Sequence, residues 1–338
     1  SENHGLRFMA KDIDWDKLTF SLTPTDTMYV AETTGDEPWM PGDLRPYGNI
    51  SISPAAGVLN YGQGLFEGMK AYRTDKNRVV FFRPDENARR MQRGADRLKM
   101  PPVPESIFID AVEQVVQANI DWVPPMGRGA MYVRPLLMGS GPVLGVSPAP
   151  SYSFMIYVTP VGPYFKGGMR AIELLISDEF HRAAPGGSGG VKAIGNYAPG
   201  MMPSKMAKAQ GYAEVIYLDA RTSTYIEEVG AANFFCIKDK VLYTPELTGT
   251  ILPGITRDSI IALARHMGYE VVEEKVSAEF AMSADEAFCC GTAAVISPIG
   301  SITHGDNKVT YGDGTPGTIT TTLYDKLTGI QNETEEDI

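Results

Sequence analysis

A break in patterning at Val161 to Met169 constrains the fold of this chain more than any other feature. Just before it, YSFMIYVTP (Tyr152 to Pro160) is an apolar run of strand length, which reads as a buried strand. The break itself, VGPYFKGGM, substitutes Gly and Pro for apolar periodicity, and those residues punctuate regular structure. A chain of 338 residues exceeds what one core usually spans, so the break reads as the connection between two domains. The expected division is a first domain of residues 1–160, an interdomain loop of 161–169 and a second domain of 170–338.

The two halves carry different patterns. In the first, Arg83-Pro84-Asp85-Glu86 opens a helix, with Pro and acids in its first turn, and ENARRMQRGADRLKM continues it. A second helix is expected from Glu105 to Trp122, where Phe108, Val112, Val115, Val116 and Ile120 share a face. The second half is β-rich: AIELLIS, AEVIYLD and the pair NFFCI/KVLYT, joined at Lys238-Asp239-Lys240, read as strands. Helices are expected at Pro199 to Gln210 and Arg257 to Met267, with Gly211 and Gly268 as their stops. The acidic tail Asn332 to Ile338 reads as frayed. The fold class expected is mixed α/β (α+β).

Charge and composition exclude several functions. A net charge of −11 offers no basic field to nucleic acid or to an anionic membrane. No apolar run approaches membrane-spanning length, and the polar stretch from Ser1 has no signal-peptide core. Cys236, Cys289 and Cys290 make no disulfide framework, which points to a reducing intracellular compartment: cytoplasm, or a plastid or mitochondrial matrix if a transit peptide has been removed. His4, His181, His266 and His304 are scattered without metal-ligand spacing, so no metal is expected. Gly62-Gln63-Gly64 lacks the third glycine of a dinucleotide fingerprint, no Gly-Lys pair exists for a P-loop, and no G-x-S-x-G elbow occurs.

One segment carries a chemical signal. GGSGGVKAIGNY (Gly186 to Tyr197) sets Lys192 in a run of small residues with Tyr197 five positions later. Glycines let a ligand approach closely, and an ammonium stripped of water loses its proton to become an amine nucleophile. Alone, the segment is also compatible with a flexible loop bearing a solvated lysine.

Its companions decide between these readings. YGQGLFEGMKAY (Tyr61 to Tyr72), MYVRPLLMGSGPVLGV (Met131 to Val146), TYIEEVGAANF (Thr224 to Phe234), ILPGITR (Ile251 to Arg257) and GTAAVISP (Gly291 to Pro298) stand in order around GGVKAIGNY. Together they resemble the branched-chain amino acid aminotransferases, fold-type IV enzymes that use pyridoxal 5′-phosphate, from about Asp14 to about Leu327. The resemblance implies a small N-terminal α/β domain, a larger C-terminal β-rich pseudo-barrel, and a homodimer. It also implies transamination between leucine, isoleucine or valine and 2-oxoglutarate. Another fold-type IV transaminase, acting on D-amino acids, (R)-amines or chain-elongated methionine, is the alternative, and a catalytically silent binding protein is the alternative of another class.

Roles follow residue by residue from the matched motifs. Lys192 would be the catalytic lysine holding the cofactor, and Glu228 would keep the pyridine nitrogen protonated, with Glu227 on the opposite strand face. Tyr197 would donate to the cofactor's 3′-oxygen. Arg90, Ile255, Thr256 and Thr292 would hold the phosphate, with Arg89 the solvated neighbour of Arg90. The substrate carboxylate would meet the amides of Ala293 and Ala294 and the hydroxyl of Tyr61. Its side chain would face Phe66, Tyr132, Tyr164 and the loop Leu144-Gly145-Val146 of a partner subunit, with Arg134 accepting the glutamate γ-carboxylate.

The chain departs from family patterns at two places. Ala294 and Ser297 replace a C-x-x-C redox pair of some relatives, so no thiol switch is expected. Ala231 stands where some relatives carry a hydroxyl residue near the carboxylate.

Overall fold

The computed structural model describes residues 12–338; the leader from Ser1, including His4, lies outside the described residues. Two sheets account for the strands. The first is antiparallel and seven-stranded, in the order Asp43–Pro46, Thr27–Thr34, Ser151–Val161, Ala130–Gly139, Met69–Arg73, Val79–Phe81, with Gly64–Phe66 paired separately to Ala130–Gly139. The helices Pro84–Leu98 and Glu105–Ala118 pack against it, burying Met91, Ala95, Phe108, Val112 and Val115 with Tyr29, Phe154 and Val158.

The second expected helix stops short. Asn119 leaves helical geometry, and its side chain donates to Val115 O (2.7 Å) while accepting from the amides of Asp26 and Thr27 (3.2 and 3.0 Å). A short polar side chain that bonds nearby backbone competes with helix continuation, so Ile120–Trp122 forms a separate 3-10 turn.

The second sheet is mixed and nine-stranded, with six of its strands in a closed ring: Ile226–Val229, Glu214–Leu218, Ile172–Ile176, Val295–His304, Glu286–Gly291 and Ala232–Lys238, the last pairing back to Ile226–Val229. Closure removes exposed edges and gives the β-barrel-like body. Period-two alternation assigns its cores: Phe234, Cys236 and Cys289 enter one cluster, whereas Phe235, Ile237 and Cys290 enter another beneath the helices Ile255–His266 and Thr318–Gln331. The expected hairpin turn is present, with Asp239 and Lys240 both at positive φ (50° and 64°) between the paired residues Lys238 and Val241.

The tail is docked rather than frayed. Glu333 pairs with Arg78 (3.2 Å) and Glu335 with Lys326 (2.7 Å), while the amides of Thr334 and Glu335 donate to Gly329 O. Among the described residues no helix is long and apolar enough to cross a membrane.

The two sheets meet along one seam. The glycine-rich lysine segment emerges from the second half but attaches to the first, where Ala193 bridges Leu65 and joins its core, and Phe66 N donates to Lys192 O (3.2 Å). Arg83 reaches Asp258 (2.8 Å) across the same seam.

Candidate active site

Lys192 lies at this seam with its ammonium 4.6 Å from the Phe66 ring centre and 5.4 Å from that of Tyr197. Burial lowers its pKa from 10.5 to about 8; the cations of Arg90 and Arg134 push the same way, and the carboxylates of Glu67 and Glu228 push back. Tyr197 packs edge-on against Phe66 (4.8 Å), and burial pushes its hydroxyl up to about 12. That hydroxyl is buried without a hydrogen-bond partner, a condition that native structures seldom leave unexplained.

Glu228, 1% exposed, forms an ion pair with Arg182 Nη1 (2.7 Å) and accepts from Leu252 N (3.2 Å). Burial raises its pKa to about 7 against the opposing pull of Arg182. The pairing of Ile226–Val229 with Glu214–Leu218 shifts register between Ile226 and Glu228, and Glu227, also buried, lines a separate cavity of about 340 Å³ with Asp219, Thr250 and Lys275. Neighbouring carboxylates thus enter different environments.

Arg90 points inward from helix Pro84–Leu98, and its Nε and Nη2 fork onto Glu67 (2.7 and 2.6 Å) while Nη1 donates to Pro253 O (3.2 Å). Arg89 stays at the surface with Glu86 and Glu105. Pro253 leads into helix Ile255–His266, whose first turn contains Ile255 and Thr256 and receives no side-chain cap from Gly254. Uncapped amides at a helix start form an anion site. Thr292 Oγ1 donates to Gly68 O (3.3 Å), which brings its turn beside the segment that carries Glu67.

Tyr132 and Arg134 share a face of Ala130–Gly139. Arg134 stacks over Phe66 and Tyr132 (4.8 and 5.2 Å) and donates to the Tyr132 hydroxyl (3.1 Å), leaving its Nε buried and unpartnered. Gly68 is required here, because a Cβ at that position would collide with the Tyr132 hydroxyl. A cavity of about 440 Å³ lined by Phe20, Gly162, Tyr164 and Ala293 opens beside this wall, with Tyr164 half exposed.

Tyr61, Leu144 and Val146 group elsewhere. The Tyr61 hydroxyl donates to Leu144 O, and the Leu144 and Val146 side chains are 91% and 86% exposed. Tyr61 therefore travels with the exposed loop.

Sequence reasoning missed three residues of this constellation. Glu67 had a legible signal, a lone acid inside an apolar stretch, whose burial at 0% exposure is compensated by Arg90 and by the Asn87 side-chain amide, which donates to it (2.9 Å). Phe20, edge-on to Tyr132 at 5.0 Å, and Arg182 had none, since each comes from an irregular segment remote in sequence from the residue it meets, Tyr132 and Glu228 respectively.

Known proteins share this architecture. Residues 64–302 match the family Amino-transferase class IV. The chain is 54% identical over 327 residues to branched-chain-amino-acid aminotransferase 3, chloroplastic, of Arabidopsis thaliana, covering 96% of this chain and 79% of that one. The chain belongs to the branched-chain amino acid aminotransferases of class IV. It is also 44% identical to methionine aminotransferase BCAT4 of Arabidopsis thaliana, over 96% of this chain and 92% of the other. The Escherichia coli branched-chain amino acid aminotransferase superposes with a TM-score of 0.80 at 31% identity, covering 93% and 97% of the two chains. Another solved branched-chain amino acid aminotransferase, complexed with N-(5′-phosphopyridoxyl)-L-glutamate, does so at 0.76 and 27% identity, covering 91% and 95%.

This class IV aminotransferase is therefore a pyridoxal phosphate enzyme, and its residues fit that cofactor. The orphan Tyr197 hydroxyl is a donor awaiting an acceptor, the buried Glu228 carboxylate suits a protonated ring nitrogen, and the uncapped amides at Ile255 and Thr256 suit a phosphate. Among the described residues no three His, Cys, Asp or Glu side chains gather as a metal site.

Proposed function

We propose that this branched-chain aminotransferase moves the amino group of leucine, isoleucine or valine to 2-oxoglutarate, and catalyses the reverse, at the seam around Lys192. The observation that carries this reading is the convergence on one seam of a low-pKa amine, an orphan phenol and a buried carboxylate. Bound pyridoxal phosphate supplies the aldehyde and the electron-withdrawing ring. Lys192 Nζ would hold the cofactor and, once released from it, would carry the proton from the substrate α-carbon to the cofactor's C4′ carbon, a task suited to a pKa near working pH. Glu228 holds the ring nitrogen's proton, and Tyr197 donates to the phenolic oxygen. Arg90, the first-turn amides of Ile255 and Thr256, and Thr292 hold the phosphate.

The amides of Ala293 and Ala294 receive the substrate carboxylate. Phe66, Tyr132 and Tyr164 form the apolar wall for a branched side chain, and Arg134, with no carboxylate partner among the described residues, receives the γ-carboxylate of glutamate. The neighbour complexed with a phosphopyridoxyl-glutamate supports that second substrate.

The working unit we propose is a homodimer. Large apolar side chains do not stand almost wholly in water without cost, and Leu144 and Val146 do so here. A partner subunit would bring them to the neighbouring site, and Tyr61 would arrive with them. We divide each chain into domains of residues 1–160 and 170–338, joined by 161–169. The compartment proposed is a reducing organelle matrix, supported by three free buried cysteines and by a relative named chloroplastic.

A second reading rests on the 44% identity to a methionine aminotransferase, since an unbranched thioether also suits an apolar wall. Measuring turnover of leucine, isoleucine, valine and methionine with 2-oxoglutarate as acceptor separates the two. Preference for methionine over all three branched substrates would reject the first.

A further inference from the structure

Beside the site is a second lysine that none of the roles above employs. Lys70, in strand Met69–Arg73, extends across the seam and donates from Nζ to Ala293 O (2.6 Å). Burial lowers its pKa to about 8, so it still carries its proton at neutral pH, and no carboxylate contributes to that shift. Its cross-strand partner is Tyr132, which puts Lys70 on the site-facing side of the first sheet.

The turn it grips is unusual. Gly291 and Val295 pair at the end of the hairpin formed by Glu286–Gly291 and Val295–His304, leaving Thr292, Ala293 and Ala294 as a three-residue loop. Such a loop normally ends on a left-handed residue, preferably glycine. Here the left-handed residue is instead Val295, the first of the returning strand, at φ 65°, an outlier for a β-branched side chain. Strained backbone persists where its surroundings hold it, and both holding contacts come from residues 68–70: Lys70 Nζ to Ala293 O, and Thr292 Oγ1 to Gly68 O. The amides of Ala293 and Ala294 donate to no acceptor among the described residues.

The carbonyl of Ala293 and the amide of Ala294 belong to one peptide unit. In a trans peptide they point in opposite directions, so a cation on the carbonyl stands behind the amide rather than in its way. Hydrogen bonds in series polarise one another, and a charged donor at one end strengthens the donor at the other. We propose that Lys70 is a positioning residue for carboxylate recognition: through the Ala293 carbonyl it fixes the strained turn and makes the Ala294 N–H a stronger donor to the substrate's α-carboxylate. The inference rests on the proposed reading that this turn receives the carboxylate.

The test compares two non-reacting ligands on the holoenzyme, 4-methylvaleric acid and its primary amide, which share an apolar tail and differ in charge. Calorimetry gives both affinities for the wild type and for Lys70→Met. The acid is expected to weaken about tenfold while the amide is unchanged, the scale of losing one charge-assisted donor. KM for leucine and for 2-oxoglutarate should rise together, because both present an α-carboxylate to the same turn, with kcat less affected. If Lys70→Met does not fold, Lys70→Gln keeps a neutral donor and should show a smaller loss, about threefold, in the acid-over-amide preference. An unchanged preference in the folded variant, or equal weakening of acid and amide, overturns the positioning role. A wild-type enzyme that fails to prefer the acid to the amide overturns the placement of the carboxylate itself.

Discussion

The titration of Lys192 is the most direct consequence of the site's geometry. With its pKa moved from 10.5 to about 8, burial disfavours the ammonium by about 3 kcal/mol, at 1.36 kcal/mol for each tenfold change. At pH 7 about a tenth of the molecules then present a neutral amine, against roughly one in three thousand for a solvated lysine. The perturbation is pH, applied to the cofactor-free protein, and the assay is the rate at which it captures pyridoxal phosphate, followed by absorbance. Because the neutral amine is the reactive form, the rate should climb about tenfold per pH unit below the pKa and level off near pH 8. A rate still climbing at pH 10 would refute the argument, since it would mean a solvated amine. Lys70 has a similarly lowered pKa, so titration alone does not distinguish the two. Borohydride reduction followed by peptide mapping does: the Lys70 amine is committed to Ala293 O, and the label is expected on Lys192.

Three further outcomes are expected. Glu228→Gln removes the charge proposed to hold the ring proton, so single-turnover α-proton removal should fall far more than cofactor affinity; equal losses in stopped-flow and binding measurements would contradict this. Arg134→Gln should weaken the glutamate and 2-oxoglutarate half-reaction by about 1–3 kcal/mol while sparing leucine, and half-reactions measured separately that decline together would point to a structural role instead. Leu323→Ala empties a fully buried position in helix Thr318–Gln331 and should destabilise by about 3 kcal/mol, read as a lowered unfolding midpoint.

Leu323 also shows where sequence legibility ends. Its segment, TITTTLYDKLTGIQ, is crowded with β-branched threonines that favour strands, which compete with the helical spacing of Ile319, Leu323, Leu327 and Ile330. Packing of Leu323 and Leu327 on the barrel overrides that preference, and Thr321, Thr322 and Thr328 turn their hydroxyls back onto helix carbonyls. By contrast, the helix at Pro84, the turn at Asp239-Lys240 and the strand before Val161 were legible, because each is decided by residues within a few positions of one another. At the site, Lys192 and Tyr197 announced themselves within one short segment. Arg182 did not, because its partnership with Glu228 exists only after the lysine segment, helix Met201–Ala209 and strand Glu214–Leu218 between them have folded back.

The charges at the seam divide by sheet in a way that bears on how the site acts. Glu67 and Arg90 both belong to the first half and neutralise one another; Arg182 and Glu228 do the same within the second. Each half therefore buries its ion pair with local compensation, as a low-dielectric interior demands. Lys192, standing between them, meets opposed influences from Arg90 and Glu67 and from Arg134 and Glu228, so burial becomes the dominant influence on its amine. Two cations of the first sheet, Lys70 and Arg134, pair with no carboxylate among the described residues, and Lys70 lies directly across from Tyr132, two residues from Arg134. Under the proposed function their counter-charges arrive with the substrate: an α-carboxylate at the turn held by Lys70 and, for glutamate, a γ-carboxylate at Arg134. A branched apolar side chain leaves Arg134 resting on the faces of Phe66 and Tyr132, where stacking already accommodates it. Under that function, one pocket accepts a methyl-bearing and a charged side chain without moving a buried ion pair.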